Sequence, residues 1–448
     1  MRPGKRERTG SGDLFRARLD QIIDMRHELV QLADRIDWNW LDGELADCFS
    51  DRGRPGTEVR FMLGLFVLKH IHGLADEEVC ARWVENPYFQ YFTGEEFFQH
   101  ALPHERSGMS HWRQRVGDKL DVLLAESLRV AHEAGALKTD DLARVTVDTT
   151  VQPKNVTHPT DAKLMLRAIQ QLARLAKRGG VKLRQSYVRV AKRAALMAGR
   201  YAHAKQFRRM NRELKFLRTR LNRLVRDIGR KIEGDARLSE AFAMPLAKAR
   251  QIARQRQQQR GWKLYAWHAP EVECIGKGKA HKPYEFGVKV SFVTTNRRAK
   301  GGQFVLHAAS LPGNPYDGHT LDTVLEETQA LTGREIERAY VDQGYRGHNA
   351  PKPLRVYISG QKRGVHGTIK RELRRRAAIE PVIGHMKVDG HLGRNYLKGR
   401  NSDHSNAVLS AVGYNFRLVL RWLRLLLRFI LAAALDALSP KSGLQAAS

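Results

Sequence analysis

RVTVDTTVQP, Arg144–Pro153, is the stretch on which the fold turns. Its apolar residues alternate at period two, with Val145, Val147 and Thr149 on one side, so it predicts a β-strand. The chain before it reads as helix. From residue 13 to about 138 the apolar positions recur at helical spacing, as with Phe61, Leu65, Leu68 and His72 in VRFMLGLFVLKHIHGL. Short breaks at 51–56, 85–87 and 101–110 divide this region. The last leads into HWRQRVGDKL, where Ser110 can cap a helix bearing Arg113 and Arg115. A basic helix after a turn fits DNA binding, and fits a solvated surface helix equally well.

Beyond the strand the pattern returns to long helices up to about residue 260, and from Tyr284 it alternates between strand and helix. YEFGVKVSFVTT (284–295), QFVLHAASL (303–311), IERAYVDQGYRG (336–347) and PLRVYISGQ (353–361) predict strands. HTLDTVLEETQALTG and residues 368–388 predict helices. Without the helical stretch at 163–260, these elements make a mixed sheet flanked by helices, an α/β core whose strand ends can carry a site.

Charge points to the partner. The 448 residues suggest two or three domains, 42% apolar content supports real cores, and the net charge of +31 predicts a polyanion, nucleic acid above all. Residues 163–260 alone hold 28 Lys/Arg against 5 Asp/Glu. Apolar positions there run Tyr187, Val190, Ala194, Met197, Tyr201, Ala204, then Phe207, Met210, Leu214, Leu217, Leu221, Leu224, Ile228. The two successive three-residue steps predict a stammer in a helical hairpin or coiled coil. Charge this one-sided repels across a dimer seam, so the segment is expected to lie along duplex DNA; a solvated arm is the alternative.

Three scattered cysteines predict neither a disulfide framework nor a cysteine-built zinc site. The basic start, residues 1–12, reads as a flexible arm with no secretory signal. Near the end, Arg417, Arg421, Arg424 and Arg428 fall on one helical face, and the longest uncharged run is far short of a membrane span. An amphipathic helix docked on the domain is expected, without membrane insertion.

Two aspartates sit at strand ends: Asp148 in VTVDTT and Asp342 in AYVDQGYRG. Glu380 follows in RRRAAIEPVIGHMK, the one acid in a basic run. Strand propensity and burial disfavour such aspartates unless they are paired or hold a cation. Three carboxylates from two strands and a helix can converge on Mg²⁺ or Mn²⁺, and two such ions about 3.5–4 Å apart can clamp a phosphodiester. The plainer alternatives are turn-capping aspartates and an ion-paired glutamate. Pro381 directly after Glu380 predicts a kink or a fresh helix start.

VTVDTT, VDQGYRG and RAAIEPVIGHMK together resemble the D-D-E transposases of the insertion-sequence-five family. KPYEFGVKVS, DGHTL and NAVLSAVGYNFRLVLRWL look like it too. Related families carry tyrosine, arginine, glutamate and lysine on the last helix; here those places hold Leu373, Arg376, Glu380 and Lys387. The resemblance implies an α+β multidomain chain. It would have an all-helical DNA-binding domain (13–140) and a ribonuclease-H-like mixed α/β catalytic core (141–162 and 261–438) interrupted by a long basic helical insertion (163–260), with a flexible tail at 439–448. It implies Asp148, Asp342 and Glu380 as catalytic residues and metal ligands for two Mg²⁺ or Mn²⁺ ions per site, with Arg376, Lys387, Arg113 and Arg115 on DNA. The substrates would be double-stranded DNA, as terminal inverted repeats and target, handled by a dimer or larger complex in a prokaryotic cytoplasm. A catalytically inactive or domesticated DNA-binding protein, or a ribonuclease-H-like nuclease without strand transfer, is the alternative.

Overall fold

A computed structural model of the chain describes residues 17–50, 56–105, 107–256, 259, 261–279, 282–297, 299–351 and 354–438. The expected arm at 1–12 and tail at 439–448 lie outside them. The chain forms two compact units, one of residues up to Gln152 together with Lys289 onward, the other Pro153–Val288. The helical N-terminal region therefore belongs to the same unit as the later strands.

In the first unit the helix Val59–His72 is buried at every position except Arg60 and His72. The expected single apolar face is thus a fully enclosed helix, with His72 outside the core. Two glycines let neighbours approach it: a Cβ at Gly64 would stand 2.9 Å from Thr93 Cγ2, and one at Gly413 would stand 2.6 Å from His70 Cβ. Burial of Lys69 on this helix is offset by Asp76, whose carboxylate lies 2.7 Å from Lys69 Nζ and also accepts from the Arg113 guanidinium.

That pairing corrects the expectation for Arg113. Its side chain is buried in the ion-pair cluster, with the guanidinium 5.4 Å from the Phe66 ring. Its helix, Gly108–Val116, begins before Ser110, and Arg115 on the same helix is exposed.

The helix Arg400–Leu438 docks as expected, buried from Ser405 through Phe416. Asn415 fastens it by donating to Val305 O (2.8 Å) and accepting from Val305 N (2.9 Å). Among the described residues no helix is long and apolar enough to cross a membrane.

The strands are β1 (Arg144–Pro153), β2 (Glu273–Lys279), β3 (Lys282–Thr295), β4 (Val305–Leu311), β5 (Arg338–Val341) and β6 (Arg355–Ile358), in the order β2-β3-β1-β5-β6 with β4 also on β3. Pairing is antiparallel between β3 and β4 and parallel from β1 through β5 to β6. On β1, Thr146, Thr150 and Gln152 are buried as well as Val145, Val147 and Val151, so the expected one-sided alternation gives way to a central strand covered on both faces. β2, pairing antiparallel with the first half of β3, falls in the glycine- and lysine-rich run that carries no strand pattern.

The helix expected over 368–388 is broken in three: Gly367–Arg375, a 3-10 turn Arg376–Ala378, and a fresh helix Ile379–Asp389. Pro381 sits in the first turn of the last piece, where its missing N–H has no intrahelical role. Glu372 ties the first piece to the sheet. Its carboxylate accepts from the Tyr340 hydroxyl and faces Arg144 (3.2 Å) and Arg338 (3.5 Å).

The second unit is built around four helices, Asp161–Arg178, Val188–His203, Phe207–Ile232 and Ala236–Arg254, sharing a core that includes Ile169, Leu172, Leu217, Leu221, Leu224 and Ile228. Thr160 caps the first by accepting from Lys163 N. The expected stammer is a tight turn at Ala204–Gln206, with Lys205 at φ 55°, which makes the segment a helical hairpin. On Phe207–Ile232, Arg208, Arg212, Lys215, Arg223, Arg226 and Arg230 are exposed at steps that keep them on one face.

Asp76→Ala leaves Lys69 and Arg113 buried without their acid. It is expected to cost about 3–5 kcal/mol in denaturant unfolding, the range for breaking a buried ion pair. A loss below about 1 kcal/mol, as for exposed pairs, would contradict this.

Candidate active site

The site starts from strand register. β1 and β5 pair in parallel with Arg144 opposite Arg338, Val145 opposite Ala339 and Thr146 opposite Tyr340. Two residues further along, the same register sets Asp148 beside Asp342. Backbone donors fix one oxygen of each: Asp148 Oδ1 accepts from Thr149 N and Asp342 Oδ1 from Gly344 N, both at 2.8 Å. A glycine is needed at 344 because a Cβ there would stand 2.9 Å from Asp342 Oδ1.

The second oxygens face one cation. Arg376, from the 3-10 turn, places its terminal nitrogen 3.1 Å from Asp148 Oδ2 and 4.0 Å from Asp342 Oδ2. Its Nε–H is buried without an acceptor among the described residues. Glu380, in the first turn of Ile379–Asp389, is exposed. Burial pushes the Asp148 carboxyl up to about 6; the Arg376 charge opposes this, while the charges of Asp342 and Glu380 add to it. Burial thus outweighs the Arg376 contact.

The expected residues are therefore only partly gathered. Arg376 is hydrogen-bonded to Asp148 and 4.0 Å from Asp342, and Glu380 is within electrostatic reach of Asp148. Lys387 lies half-buried two turns along the same helix, and Arg115 is on the separate helix Gly108–Val116. Arg376, on the 3-10 turn, and Glu380, on the helix from Ile379, do not lie on one continuous α-helix. Among the described residues no three His, Cys, Asp or Glu side chains are grouped to hold a metal ion, the guanidinium standing between the two aspartates.

Three residues not singled out in the sequence join the site. Asp317 Oδ1 accepts from Thr149 Oγ1 (3.1 Å) and from Lys289 Nζ (3.0 Å). A Cβ on Gly344 would lie 3.2 Å from Asp317 Oδ2, which shows how near this carboxylate comes to the turn after Asp342. Tyr345 is fully buried; burial, then the charges of Asp317, Asp148 and Asp342, hold its hydroxyl protonated. DGHTL and KPYEFGVKVS contain Asp317 and Lys289, but nothing in their spacing marks either residue.

Residues 17–115 match the family described as Transposase domain (DUF772), and residues 251–416 match the Transposase DDE domain. Both matches are to transposase domains and support a DDE transposase, an enzyme acting on DNA. The second match contains Asp317, Asp342, Arg376 and Glu380, whereas Asp148 lies outside it. A Rhizobium meliloti protein named "Uncharacterized protein ORF8 in nfe locus" is 52% identical over 208 residues, covering 46% of this chain and 100% of that protein. No solved structure matches the chain.

The raised Asp148 pKa has a definite sign. The folded state takes up a proton near pH 6 that the unfolded state takes up only near 4, so stability falls as pH rises through that window and is level above it. In metal-free protein Asp148→Asn removes the penalty. It is expected to melt higher than wild type at pH 8, by up to about 3 kcal/mol of stability, with the gap closing near pH 4. A variant less stable than wild type at pH 8 would show that the Arg376 contact outweighs burial.

Proposed function

We propose that the chain is a transposase of the insertion-sequence-five type, which cleaves the terminal inverted repeats of a mobile element and joins the freed 3′-OH groups to target DNA. The observation that carries this is the parallel register setting Asp148 beside Asp342, with Glu380 following on a helix that starts afresh beside them. The strand order β4-β3-β1-β5-β6, with β5 and β6 parallel to β1, supports a ribonuclease-H-like core. The four-helix unit between β1 and β3 would then be a basic insertion into that core.

The donor set fits hard divalent ions such as Mg²⁺ or Mn²⁺, in keeping with general use of divalent metals in this family. Its members are carboxylates, two of them already face a single cationic group, and their charge is only partly balanced. Asp148, Asp342 and Glu380 would hold two ions, which supply an acidified nucleophile and neutralise charge at the phosphodiester. The chain's own part is positioning. The strand register fixes two carboxylates, Asp317 holds Lys289 beside them, and Arg376 and Lys387 lie where phosphates would approach. Arg115 and the exposed basic face of Phe207–Ile232 would bind duplex DNA, and two element ends call for a dimer or larger assembly.

The guanidinium between the aspartates favours a second reading, a DNA-binding protein that has lost catalysis. Alanine at Asp148, Asp342 or Glu380 separates the two. With Mg²⁺ and DNA bearing the cognate ends, each variant is expected to lose at least ~10²-fold in cleavage while still binding the ends. Wild type without cleavage would support the second reading, and cleavage surviving one change would remove that residue from the site.

For the hairpin, Arg208, Arg212 and Arg223 changed together to alanine should lower the salt slope of duplex binding by about 2–3, at roughly 0.9 per phosphate contact. An unchanged slope would make it a solvated arm.

A further inference from the structure

Arg376 borders two environments, one acidic and one basic. On one side are Asp148 and Asp342, at 3.1 and 4.0 Å. On the other is a cleft of about 550 Å³ between the end of β6 and the helix Gly367–Arg375, whose wall includes Lys362, His366, Lys370, Arg374 and Arg376. No carboxylate is among its lining residues, so its chemistry suits a phosphodiester. The Arg376 guanidinium is only half engaged, because one oxygen pair takes its terminal nitrogen while its Nε–H finds no acceptor. It also sits on a short 3-10 turn between two helices.

We propose that Arg376 is the resident cation of the carboxylate site in the free protein. A DNA phosphate entering the basic cleft draws it away, so that divalent ions bind strongly only once DNA is in place. This rests on the metal-site reading above. A guanidinium between the two aspartates excludes a second cation by charge and by volume. A phosphate in the cleft offers it a bidentate partner and the acceptor that its Nε–H lacks. Coupling of this kind is reciprocal, so Mn²⁺ must also strengthen DNA binding. Its use would be to keep the metal-loaded, hydrolytic form from assembling off DNA.

The test is Mn²⁺ binding, measured by electron paramagnetic resonance with and without a short duplex, in wild type, Arg376→Ala and Arg376→Lys, with thermal melting as the check on folding. Without DNA, Arg376→Ala is expected to bind Mn²⁺ at least about tenfold more tightly than wild type, with Arg376→Lys between them. The duplex should tighten Mn²⁺ binding strongly in wild type and much less in Arg376→Ala. Equal Mn²⁺ affinities in wild type and Arg376→Ala, both folded, would overturn the proposal. Asp148→Ala and Asp342→Ala, measured alongside, keep the two readings apart. If they leave Mn²⁺ binding untouched, the metal-site reading itself fails; if they abolish it while Arg376→Ala changes nothing, only the role of Arg376 fails.

Discussion

Parallel pairing of β1 with β5 is the constraint on which the rest of the site depends. Once Arg144 stands opposite Arg338, the register leaves no freedom for Asp148 and Asp342: both come to the same level on neighbouring strands. Backbone N–H groups of Thr149 and Gly344 then orient them. β1 can serve this purpose because both its faces are covered. A slip of one residue would turn Asp148 to the opposite face.

Bringing the two carboxylates together is unfavourable, and the chain offsets part of that cost locally. Arg376 supplies a counter-charge, yet burial and the neighbouring acids still hold the Asp148 carboxyl up at about 6. A buried anion left short of countercharge is poorly suited to stability and well suited to a cation that arrives later. The interruption at 376–378 has the same logic. Pro381 is compatible with the first turn of a helix and not with its middle, so the chain starts a new helix at Ile379 and presents Glu380 from its first turn. Glu372, bonded to Tyr340 and facing Arg144 and Arg338, anchors the preceding helix to the sheet that carries both aspartates.

Much of this was legible in the sequence, and the misses have physical reasons. Strands β1, β3, β4, β5 and β6 announce themselves by β-branched and aromatic content, and Asp148, Asp342 and Glu380 stand out as acids in apolar or basic surroundings. The break at Pro381 follows from the missing N–H. Arg113 was misread because helical spacing does not reveal that Asp76, 37 residues earlier, would fold over it. β2 was missed because a run of glycine and lysine becomes a strand only through its pairing with β3. Asp317 and Lys289 fall within DGHTL and KPYEFGVKVS, but their meeting is a tertiary event that spacing does not show. The position of Arg376 between the aspartates is likewise invisible to any periodicity.

The central claim is that Asp148, Asp342 and Glu380 act together in strand transfer. Its most direct test supplies the reaction's intermediate, a duplex with a pre-cut 3′-OH at the element end, incubated with plasmid and Mg²⁺. Wild type is expected to join that end covalently to the plasmid, and alanine variants of the three carboxylates that still bind the duplex are expected not to. Nicking of the DNA without any joining would contradict it and leave a nuclease.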